Sequence, residues 1–282
     1  MKYSQQGLTA IQIAALRIFS AGIVLVPFAI YPLTKFPLKK LGVTILVGIV
    51  GNLLPAFLFA EAISRNIDSA LAGILNSLTP ICVVVIAILF FKDVVKTNKI
   101  LGVLIGFAGL VILTLSQKNI SFENSKYALL IFAATILYGV NVNLVGHYLR
   151  HLNPLHVASI SLAFMTIPSG IVLWKYGFFD LDFQDPIIRN AVIASSLLGI
   201  VASAIATALF YILVKQAGGL FASLVTYGIP FIAVMWGFID GETITWIEII
   251  CLALILSGVY LANRPDKNNQ ETGIDEKTIV EN

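Results

Sequence analysis

One cation of this chain lies deep inside an apolar run. Arg17 stands nine residues past Leu8 in "LTAIQIAALRIFSAGIVLVPFAI". At about 1.5 Å of rise per residue it sits roughly 14 Å along a helix, close to the middle of a hydrocarbon layer about 30 Å thick. A guanidinium there costs about 2.5–3.5 kcal/mol on the insertion scale, so it faces a bundle interior or water rather than lipid. Two roles fit: contact with an anionic or polar solute, or pairing with carbonyls of a neighbouring helix.

Asn52, Asn76, Asn141 and Asn143 also fall mid-run, with Tyr138, Thr207, Tyr211 and Tyr227 at similar depth. Donors and acceptors converging at mid-membrane suit a polar pocket at a repeat interface, where inverted-repeat transporters bind substrate. The alternative for each is a helix-joining hydrogen bond worth about 0.6 kcal/mol. Asn76 and Tyr227 precede Pro80 and Pro230 by about one turn, and a proline frees a carbonyl there that could serve as a ligand. The expected substrate-binding set is Arg17, Asn52, Asn76, Tyr138, Asn141, Thr207, Tyr211 and Tyr227.

Other chemistry-bearing residues read more plainly. Glu61 and Glu248 fall near the ends of apolar runs; a proton-coupling role is conceivable, but Glu61 is placed i, i+4 to Arg65, as an interfacial pair would be. His147, His151 and His156 cluster near one boundary without metal-site spacing, and Cys82 and Cys251 lie within apolar runs as small hydrophobes. No catalytic residue, metal or cofactor is expected.

The elements that must carry these residues are membrane helices. Of 282 residues, 58% are hydrophobic and 12% charged, with mean hydropathy +0.93, against about 45–50% and about 25% in soluble domains. The net charge of +3 punctuates apolar runs and does not indicate nucleic acid. Nine spans are predicted: Leu8 to Tyr31, Leu41 to Ile63, Ile67 to Phe91, Ile100 to Leu115, Tyr127 to Leu149, Leu155 to Trp174, Asn190 to Val214, Leu220 to Ile239 and Ile244 to Leu261. The basic "KFPLKK" and "KDVVKTNK" against the acidic "DLDFQD" and "DGE" put the former pair, and the C-terminus, in the cytoplasm. The first run lacks a cleavage site and stays in the mature protein.

Two stretches read alike: "SALAGILNSLTPICVVVIAILFFKD" and "GLFASLVTYGIPFIAVMWGFIDGE", placing Pro80 against Pro230, Ala72 against Ala222, Asp93 against Glu242 and Gly109 against Gly258. "AIQIAALRIF" pairs with "PLHVASISLAF" in the same way. The fold class is therefore an all-α polytopic membrane bundle of two repeats, with four spans in residues 1–117 and five in residues 125–262. Residues 263–282 form a polar tail expected to be disordered and cytoplasmic. Five spans per copy is odd, so the copies are inverted; the first copy lacks a counterpart to Tyr127–Leu149. The reading preferred is that an opening span is lost or that the chain starts at an internal Met; the alternative is a native nine-span design with the N-terminus outside. Gly102 and Gly106 form G-x-x-x-G, and Ser195, Gly199, Ser203 and Thr207 repeat every four residues. Such ridges pack helices within a bundle or across a homodimer.

"GLTAIQIAALRIFSAGIVLVPFAI", with the paired "SLTP…FFKD" and "YGIP…GE" helices, resembles EamA-type members of the drug/metabolite transporter superfamily, from about Gly7 to Leu261. The resemblance implies ten spans as two inverted five-helix repeats, cytoplasmic termini, a plasma-membrane location and a central cavity for metabolites, amino acids or drugs, often exported. This chain departs by the first helix. The expected function is alternating-access secondary transport of a small organic solute in the lipid bilayer. No nucleotide-binding G-x-x-x-x-G-K-[ST] occurs to drive it. The alternatives are a truncated or non-transporting membrane partner and, further off, an intramembrane enzyme.

Overall fold

In the computed structural model, residues 7–67, 69–117, 125–239 and 245–264 are described. Glu242 with the DGE segment, the tail beyond Arg264 and the expectation of a lost opening helix lie outside the described residues. No strand occurs among the described residues, and the chain is an all-α polytopic bundle.

Among the described residues, eight helices are long and apolar enough to cross a membrane. The elements are α1 (Ala10–Lys35), α2 (Leu38–Ser64), α3 in two pieces (Ser69–Asn76 and Thr79–Phe91), α4 (Thr97–Gln117) and α5 (Ala128–Leu149). They continue with α6 (Pro154–Lys175), α7 (Pro186–Ala217), α8, and α9 (Trp246–Asn263). Of these, α8 is built from Gly219–Ser223, a 3-10 segment Leu224–Gly228 and Ile229–Ile239.

The expected spans match these elements with three differences. The fourth was expected to be short, at Ile100 to Leu115, but α4 has 21 residues because the polar Thr97-Asn98-Lys99 continues the helix beyond the apolar run. The third is interrupted at Ser77 and Leu78, one turn before Pro80, which has no N–H to continue the ladder. There the Thr79 hydroxyl donates to the Asn76 carbonyl at 2.6 Å, standing in for the missing donor. The eighth is likewise broken, by the 3-10 segment ahead of Pro230.

Close packing rests on small residues. Helix α1 lies along α6, with Gly22 against Leu162 and Thr166, and α4 lies along α9, with Gly102 and Gly106 facing Gly258 and Ala262. The G-x-x-x-G ridge is thus used inside the bundle. A reciprocal pair holds the two halves: Gly48 of α2 packs on the Ser161 carbonyl of α6, and Gly199 of α7 on the Arg17 carbonyl of α1. Each of these glycines is followed by a π-helical segment, Ile49–Leu53 in α2 and Ile200–Ile205 in α7. Large apolar side chains such as Phe28, Leu89, Ile167 and Leu197 are exposed around the outside, as a lipid-facing surface requires. Trp174 and Trp246, at helix ends, are 75% and 81% exposed, where an aromatic belt sits.

Several helix termini gather at one basic end. Arg150 donates to the Lys215 carbonyl and Lys215 to the Leu152 carbonyl, while Lys40 lies over the Tyr148 ring. These contacts tie the α1–α2, α5–α6 and α7–α8 connections together.

Candidate functional site

A cavity of about 660 Å³ lies where α1, α2, α3, α5, α7 and α8 meet. Seven of the eight residues expected from the sequence line it: Arg17, Asn52, Asn76, Tyr138, Asn141, Thr207 and Tyr211. The π segments place several of them. An extra residue in a turn widens the helix and redirects side chains, and Asn52 and Ser203, both cavity-lining, lie within those segments.

The polar groups are partly committed to one another. Asn52 Oδ1 accepts from the Thr207 hydroxyl at 3.0 Å. Asn141 Oδ1 accepts from the Tyr211 hydroxyl at 3.3 Å, and Tyr211 is 1% exposed. Gly51 lies against the Asn141 amide, which a Cβ there would displace. Tyr138 leans on Phe59, ring centroids 6.3 Å apart. Two buried donors on the cavity residues have no partner among the described residues, Arg17 Nε and Asn52 Nδ2. Arg17 is the one charged residue among the described residues that line the cavity. Ala202, Leu209 and Val225 line it and are exposed, so the cavity is open on the α7–α8 side.

Tyr227 is not part of this set. Its side chain is 0% exposed and packs among Val103, Leu110 and Ile255, with its hydroxyl donating to the Val103 carbonyl at 3.0 Å. Its place in the apolar run suggested a pocket residue, but Tyr227 lies in the 3-10 segment before Pro230 and faces the α4–α9 packing. The carbonyls near the two prolines already accept hydrogen bonds, Asn76 from Thr79 and Thr226 from the Ile229 N–H. They are therefore less available as ligands than the sequence suggested. Asn143 donates to the Val83 and Gly139 carbonyls at 3.0 and 2.9 Å, joining α5 to α3.

Missed by sequence reasoning were Thr79, Ser203, Ser223 and Thr226, together with the aromatic wall Phe59 and Phe210. Small hydroxyl residues are common in helix packing, so type alone did not mark them. A signal existed: "LVGIVGNLLPAFLF" and "LLGIVASAIATALF" align Gly48 with Gly199, Asn52 with Ser203 and Phe59 with Phe210.

The remaining candidates have local roles. Glu61 Oε1 pairs with Arg65 at 2.8 Å, and Glu248 caps α9 by accepting from the Thr245 N–H at 2.8 Å. His147 Nε2 meets Asp93 Oδ1 at 3.0 Å while the ring stacks on Phe91. With Lys99 and Arg150 they border a second cavity of about 450 Å³ at the basic end. No group of three or more metal-ligating side chains occurs among the described residues. Cys82 and Cys251 are free thiols, the first half-buried and the second buried.

A polar crevice lined by helices from both halves of an apolar bundle is the arrangement of a membrane solute transporter. The chain belongs to the EamA-like transporter family, whose model matches residues 1–115 and again 125–264. It is similar to an uncharacterized transporter of Archaeoglobus fulgidus, 24% identical over 272 residues, covering 94% of this chain and 92% of that one. It is also 24% identical over 268 residues to a WAT1-related chloroplastic protein of Arabidopsis thaliana, covering 91% of this chain but 63% of that longer protein. A solved crystal structure shares the fold with a TM-score of 0.67 at 18% identity, covering 92% of this chain and 88% of that one.

Proposed function

We propose that the protein is a secondary transporter that exports small organic solutes across the plasma membrane by alternating access, with its C-terminus in the cytoplasm. The observation that carries this reading is convergence. Arg17, Asn52, Asn76, Tyr138, Asn141, Thr207 and Tyr211 come from five helices of both halves yet face one cavity. Polar side chains are expensive in lipid, so gathering them at mid-depth indicates a solute site. The reciprocal Gly48 and Gly199 contacts provide two matched crossings about which the halves could rock. The second cavity, at the basic end, supplies an approach from that side and shares Val142 with the central one.

The test is reconstitution of the full chain into proteoliposomes loaded with a radiolabelled metabolite panel. Saturable counterflow of at least one solute, lost in Asn52→Leu and Thr207→Leu, supports the reading. Binding or chemical turnover without vectorial movement would replace it.

A further inference from the structure

We infer that the central cavity selects monocarboxylates: an anionic carboxylate bound between Arg17 and Asn52, with an aliphatic or aromatic body against Phe59 and Phe210. This deepens the transporter reading and rests on it for the claim that such acids are moved.

Charge points to an anion. Among the described residues lining the cavity, Arg17 carries the one formal charge and no Asp or Glu accompanies it. Glu61, Asp93 and Glu248 are engaged elsewhere, with Arg65, with His147 and at the α9 cap. A guanidinium at mid-membrane is stabilised by a counter-charge, and the cavity leaves that position to the solute.

The sense of the hydrogen bonds points the same way. The unpartnered buried nitrogens on cavity residues, Arg17 Nε and Asn52 Nδ2, are both donors. The amide oxygens of Asn52 and Asn141 are already taken, by the hydroxyls of Thr207 and Tyr211. Unpaired N–H donors on Arg17 and Asn52, in a cavity whose one formal charge is positive and where the Asn52 and Asn141 oxygens each already accept a bond, suit a carboxylate and disfavour an ammonium. It follows that a simple acid should bind better than the corresponding zwitterionic amino acid. The aromatic walls and the volume of about 660 Å³ leave room for an apolar body of moderate size.

The experiment uses the full chain in lipid nanodiscs and a panel of aliphatic and aromatic monocarboxylates, with 3-phenylpropionate, its amide, its amine and phenylalanine as the matched set. The acid is expected to bind at least about tenfold more tightly than the other three, since a site built for one hydrogen-bonding pattern rejects an analogue lacking it. Arg17→Gln should abolish that preference, and Arg17→Lys should retain it in weaker form. Asn52→Asp, which leaves the guanidinium in place but puts a negative charge into the same cavity, should abolish it independently if Arg17→Gln does not fold. Equal binding of acid and amide, absence of saturable binding by any acid of the panel, or an unchanged preference in Asn52→Asp overturns the assignment. Flux in proteoliposomes separates the two claims. Acid-selective binding without movement contradicts the transporter reading alone, and flux of neutral solutes with no acid preference contradicts the selectivity alone.

Discussion

Substituting Gly106 by Ala tests the assignment of Tyr227 to the packing between α4 and α9. A Cβ at position 106 would sit 2.7 and 2.8 Å from Cε2 and Cδ2 of the Tyr227 ring. Carbon atoms prefer about 3.5–4.0 Å, so ring or helix must move by about 0.8 Å. The ring has little freedom to move: it is 0% exposed and its hydroxyl is tied to the Val103 carbonyl at 3.0 Å. Overpacking of this kind costs about 1–3 kcal/mol. Tyr227→Phe removes only the hydrogen bond and should cost about 0.6 kcal/mol. Tyr227→Leu in the Gly106→Ala background should recover part of the loss, a coupling of the size expected for touching residues. Gly42→Ala is the control, since a Cβ there would meet nothing within 4 Å; it should be neutral or stabilise by up to about 1 kcal/mol. The assay is reversible unfolding in bicelles, with solute binding measured on the same preparations. A Gly106→Ala protein as stable as the wild type, or a Tyr227→Phe protein whose solute affinity falls more than its stability, would contradict this packing.

Further outcomes follow from the same contacts. Gly48→Val and Gly199→Val should each destabilise by about 1–3 kcal/mol, read by thermal unfolding, and Gly199→Val should also weaken solute binding because it displaces the backbone of Arg17. Asp93→Asn should change stability by less than about 1 kcal/mol, because the pair with His147 is partly exposed. Tyr211→Phe frees Asn141 Oδ1 as an acceptor, so competition assays should show amides and amines gaining on the matched acid.

The helices were legible because long apolar runs in a chain with few charges have one solution in lipid, and Pro186–Ala217 or Ala10–Lys35 leave little else to choose. Arg17, Asn52 and Asn141 were legible as unusual because a polar group at that depth needs a reason. Rotation about each helix was not. Tyr211 and Tyr227 look alike in sequence, yet one meets Asn141 and the other the Val103 carbonyl, and the difference lies in a 3-10 turn that hydropathy does not encode. The π segments were hidden for the same reason: "IVGNL" and "IVASAI" share only an Ile-Val pair common in any apolar helix, and their parallel placement after Gly48 and Gly199 is what connects them.

Passage of the solute through the central cavity is tested most directly by thiol accessibility in membranes. In a chain with Cys82 and Cys251 replaced by Ala, Asn52→Cys, Asn76→Cys and Thr207→Cys should each react with a small water-soluble thiol reagent and be protected by a transported solute, while Tyr227→Cys stays unreactive. Reaction in Tyr227→Cys with silence in Asn52→Cys and Thr207→Cys, or labelling of the latter two that no solute of the panel slows, would contradict it.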